Sequence, residues 1–124
     1  MKQALLILLA IIPVACYFFF KSRASKKLWQ TTGICLGLVI SPVSFGILAL
    51  KAIPLVGMLF GLVGIILTLP HDFPGYFMGL SVGLAHSQGV LPLQERVWVE
   101  VLNGIFWSVI YGFVGHALDK RQKG

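Results

Sequence analysis

Acidic side chains are nearly missing from this sequence, with four in 124 residues, and charged residues of both signs make up only 11% of it. Soluble domains carry about 25% charged residues. A small soluble fold also leaves much of its surface in water. With 57% of the residues hydrophobic, this chain has too little polar surface to cover itself. Cysteine is equally scarce: Cys16 and Cys35 are the two present, and neither has metal-ligand spacing such as CxxC. Both read as small apolar packing residues. The three histidines show no HxxxH or HxxE spacing, so no metal is expected. Linkers, fixed-period repeats and low-complexity tracts are absent, and residues 1–124 read as one domain. No nucleophile elbow, phosphate loop or dinucleotide fingerprint occurs, so neither an enzyme nor a cofactor is expected.

What the chain does have is long apolar runs. They predict an all-α polytopic membrane protein with four long spans, at about 4–20, 28–50, 53–69 and 97–118. The first resembles a signal peptide at its start, but it runs into Tyr17, Phe18, Phe19 and Phe20 rather than a small-residue cleavage site. It is read as an uncleaved span with an aromatic belt, kinked at Pro13. The second span carries Gly33, Gly37 and Ser41 four residues apart, and the third carries Gly57 and Gly61. Such small-xxx-small rows let helix backbones approach closely. On the last span Glu100, Asn103, Gly104, Trp107, Tyr111, Gly115 and Leu118 share one helical face, and Leu102, Ile105, Phe106, Val109 and Phe113 share the other. The first face should look into the bundle and the second into lipid.

Residues 73–92 are ambiguous. The segment has a third glycine row, Gly75, Gly79 and Gly83, but also His86, Ser87 and Gln88, which resist insertion. It reads as a short glycine-rich crossing or a re-entrant segment. Charge bears on the choice. Lys21, Arg23, Lys26 and Lys27 make the densest basic loop, and Lys120, Arg121 and Lys123 make a basic tail. The positive-inside rule puts both in the cytoplasm and the N-terminus in the periplasm of a bacterial inner membrane. Four crossings alone would separate loop and tail, and a fifth at 73–92 reunites them. The same basic loop would meet anionic lipid headgroups. The net charge of +6 is spent at helix ends rather than on a groove-sized surface, which argues against nucleic acid.

The polar residues within this apolar setting are the candidates for function. His71 and Asp72, between Pro70 and Pro74, read as a helix junction with Asp72 as the next N-cap. Glu95, Arg96 and Glu100 open the last span, with Arg96 and Glu100 one turn apart. His71, Asp72, His86, Glu100, Asn103 and Tyr111 together are candidates for a polar path or a partner-docking site. The glycine rows point to an interaction protein, a subunit, assembly factor or immunity-type partner that packs on another membrane protein or on its own copies. The alternative is a small oligomeric channel or transporter with a polar path along the last helix.

Overall fold

The computed structural model describes residues 2–122, so Lys123 of the basic tail lies outside the described residues. A 3₁₀ stretch, Lys2–Ala10, runs into α1 (Ile11–Ser22), followed by α2 (Leu28–Ala49), α3 (Gly57–Ser81) and α4 (Leu93–Arg121). No strand occurs among the described residues. Counting the 3₁₀ stretch with α1, four helices are long and apolar enough to cross a membrane.

α2 and α4 form the centre and run antiparallel. Trp29 meets Gly115, Gly33 meets Tyr111, Gly37 meets Ser108, and Leu38 meets Gly104. A Cβ at Gly33, Gly37 or Gly115 would fall inside contact distance of the partner's backbone, so these positions bring the two helices into direct apposition. Ser108 Oγ donates to the carbonyl of Ile34 across the same seam, at 3.1 Å. At one end the Asp119 carboxylate accepts from the backbone amides of Trp29 (3.0 Å) and Gln30 (2.9 Å). Those are among the amides that a helix start leaves without intrahelical partners, so α4 caps α2 in place of a local side chain. The N-terminal helix packs antiparallel on α2 more loosely. Gly46 lies against Ile7 and Tyr17 against Trp29, and within α1 only Pro13 is buried.

α3 departs from the sequence reading. A break was expected at Pro70–Pro74, yet one helix of 25 residues runs through both prolines. The proline nitrogens cannot donate to the carbonyls of Ile66 and Pro70, but the intervening positions keep the helix continuous. His71 and Asp72 are therefore interior helix residues rather than a junction, and Asp72 is no N-cap. The third helix takes in 57–81, and only residues 82–92 remain as a turn segment before α4. Gly83 has left the helical row: it sits in that turn with φ +76, a conformation that suits glycine. The last helix is likewise longer than expected and carries Asp119 as a buried residue.

Both ends of α3 lie at the same end of the α2–α4 pair. It begins with Gly57 against Lys51 and Gly64 against Leu48, just past the end of α2. It finishes with Gly79 close to Val99, near the start of α4. Its middle reaches further in, where His71 meets Trp107 and Tyr111, about three turns along α4 from Val99. Residues 50–56 and 82–92 thus lie at one end of the α2–α4 pair, and residues 23–27 and Gln122 at the other. Single cysteines at Lys51 and Ser87 should react alike with a membrane-impermeant maleimide. Cysteines at Lys26 and Gln122 should react only from the opposite face.

Candidate functional site

The polar residues of α3 and α4 converge into one line. Its outer station is Arg96, whose guanidinium lies 3.0 Å from Glu100 Oε1 and 3.5 Å from Asp72 Oδ1. The same guanidinium sits over the Phe45 ring at 3.9 Å, a cation–π contact from α2. Deeper lies Asn103, with no solvent exposure at all. Its Nδ2 donates to the Asp72 carbonyl (3.1 Å) and to Asp72 Oδ1 (3.3 Å), and its Oδ1 accepts from the amide of Gly75 at 2.6 Å. A Cβ at Gly75 would occupy the place of the Asn103 side chain, so this bond requires glycine there.

One turn further along α4, Trp107 Nε1 donates to the His71 carbonyl at 3.1 Å, and the two rings lie 4.5 Å apart. The line ends at His71 and Tyr111. His71 Nδ1 lies 2.6 Å from the Leu67 carbonyl, which can only accept, so Nδ1 carries a hydrogen. In the neutral ring, Nε2 then accepts from the Tyr111 hydroxyl at 2.5 Å. Trp107, Asn103 and Tyr111 all reach α3 backbone or side chains around the two prolines, where the helix has lost donors of its own. The helix that looks weakest by sequence is thus held by the polar face of its neighbour.

Glu100 Oε2 and the hydroxyl of Ser41, which is 1% exposed, lie beside each other in the line and have no other hydrogen-bond partner. Both are polar atoms withdrawn from water, a costly condition unless a ligand or a proton completes them. Beside them is an open hollow of about 750 Å³, bordered by Gln3, Phe45, Asp72, Tyr76, Arg96 and Glu100 and roofed by Gly89, Val90 and Leu91 of the turn segment. Arg96, Glu100 and Pro42 also border a second, mainly apolar hollow of about 390 Å³. The Arg96–Glu100 pair therefore stands between the two.

Of the six polar candidates, His71, Asp72, Glu100, Asn103 and Tyr111 come together. His86 does not: it lies in the turn segment, with Nδ1 2.6 Å from Glu95 Oε2, apart from the cluster. Arg96 and Trp107 were missing from the candidate set, although both were visible as polar groups on the last span one turn from Glu100 and Asn103. The glycine rows also find their places: Gly33 and Gly37 against α4, Gly57 and Gly61 against Lys51, Gly75 against Asn103 and Gly79 against Ala85. Gly83 has open space around it. Ser41 is buried on α2 beside Glu100 of α4. No group of three or more histidine, cysteine, aspartate or glutamate side chains arranged to hold a metal occurs among the described residues.

No family model, curated protein or solved structure matches the chain.

Asn103→Ala would leave the Gly75 amide without this acceptor and Asp72 without a neutral donor, at a cost of about 1–3 kcal/mol. Thermal unfolding in detergent should shift down accordingly, while Asn103→Gln should recover little because its extra methylene has no room beside Gly75.

Proposed function

We propose that the protein is an integral membrane protein that binds a small cation in the line from Arg96 to Tyr111, and that assembled copies pass it across the bilayer. The observation that carries this reading is the hollow bordered by Asp72, Arg96 and Glu100 inside an otherwise apolar helical bundle. Ionisable side chains at membrane depth are expensive and are retained for pathways, relays or pairing. Two carboxylates face one guanidinium here, which leaves the site an excess negative charge when all three are ionised. Glu100 Oε2 and the Ser41 hydroxyl, which have no partner other than each other, offer oxygen ligands to the cation.

The line starts near the beginning of α4 and ends at His71 and Tyr111, close to the middle of that helix. It is half of a path. A second copy is the simplest completion. In the bacterial inner membrane the basic loop at 21–27 and the end of α4 face the cytoplasm, where they meet anionic headgroups. The N-terminus and the mouth of the hollow then face the periplasm.

A second reading, a subunit docking against a different membrane protein, draws on the same open hollow. The glycine faces that first suggested a partner are occupied by the chain's own helices, so they support it less.

Proteoliposomes under a potassium diffusion potential test the first reading, with proton, sodium and guanidinium entry followed separately. At least one should enter faster than into empty liposomes, and Glu100→Gln and Asp72→Asn should each slow it about ten-fold. Lys51→Ala, remote from the line, should leave it unchanged. Entry no faster than into empty liposomes for all three cations would end the proposal in favour of the docking subunit.

A further inference from the structure

The two cysteines meet. Cys16 on α1 and Cys35 on α2 lie 19 residues apart in the chain, yet their sulfurs are in contact at 2.6 Å and both are free thiols. Each sits about two turns from the basic connection between the helices, so the pair lies inside the apolar layer rather than at its surface. The thiols face each other across the contact made by the most exposed of the four long helices. The first candidate span, Lys2–Ser22, is only 6% buried, against 22–33% for the other three.

We infer that Cys16 and Cys35 are a modification site: an intrachain disulfide that fastens the N-terminal helix to α2. Both thiols lose a proton and an electron, an S–S bond forms, and the two electrons and two protons pass to an acceptor. The apolar setting selects that acceptor. Charged thiol–disulfide buffers do not enter hydrocarbon, whereas a lipid-soluble quinone does, leaving as the quinol. A link here holds Gln3 and Leu6 in place along the edge of the large hollow, so oxidation would fix one wall of it. The disulfide itself does not depend on what the hollow binds.

The chain has two cysteines only, so the test is a count. The full chain in liposomes containing a ubiquinone analogue is denatured and treated with a polyethylene-glycol maleimide. Before oxidation it should carry two adducts, and afterwards none, at monomer mass, with both restored by reductant. The double variant Ala15→Cys/Cys16→Ser moves one thiol about 100° around α1 and should keep two adducts in the presence of quinone. Two adducts persisting in the native chain after quinone treatment, a link only between chains at dimer mass, or equal linking in the shifted variant would each overturn the inference.

Discussion

The close approach of α2 and α4 is the constraint on which the rest of the structure depends. Gly33 and Gly37 on one helix and Gly115 on the other allow backbone to meet backbone where any side chain would intervene. In a lipid environment apolar side chains gain little by leaving one apolar phase for another, so such contact must come from dispersion and polar bonds at short range. Once the pair is closed, the polar face of α4 has one remaining direction, toward α3, and that direction creates the site. The serine and aspartate bonds across the seam then fix its register: Ser108 to Ile34, and Asp119 to Trp29 and Gln30.

The polar line resolves two problems at once. Asn103, Trp107 and Tyr111 would each be costly alone in an apolar bundle. The backbone of α3 around Pro70 and Pro74 would be costly too, since proline removes donors from it. Brought together, donors and acceptors largely cancel. Glu100, whose Oε2 lies beside the Ser41 hydroxyl, borders the hollow.

Much of this could be read before any coordinates. Long apolar runs identified the helices, and the helical wheel of the last one placed Asn103, Gly104 and Gly115 inward, with Ile105, Val109 and Phe113 outward. Leu118 was misplaced: it is 41% exposed, and Asp119 beside it is the residue that turns inward to α2. Two proline-flanked polar residues suggested a loop at 70–74, because proline ends helices in water. Here the partner helix holds the proline-flanked stretch through bonds to His71, Asp72 and Gly75, and that information is 28 to 40 residues away in sequence. Charge counting took each long helix to change side and so called for a fifth crossing at 73–92, whereas both ends of α3 lie at one end of the central pair.

Asp119 has a consequence for the order of assembly. The first turn of α2 is made early, but the carboxylate that accepts its amides at Trp29 is encoded 90 residues later. Until α4 has been synthesised and has closed on α2, those donors depend on water and headgroups at the membrane surface. The basic end of the first two helices therefore stays unfinished until the last helix packs against it.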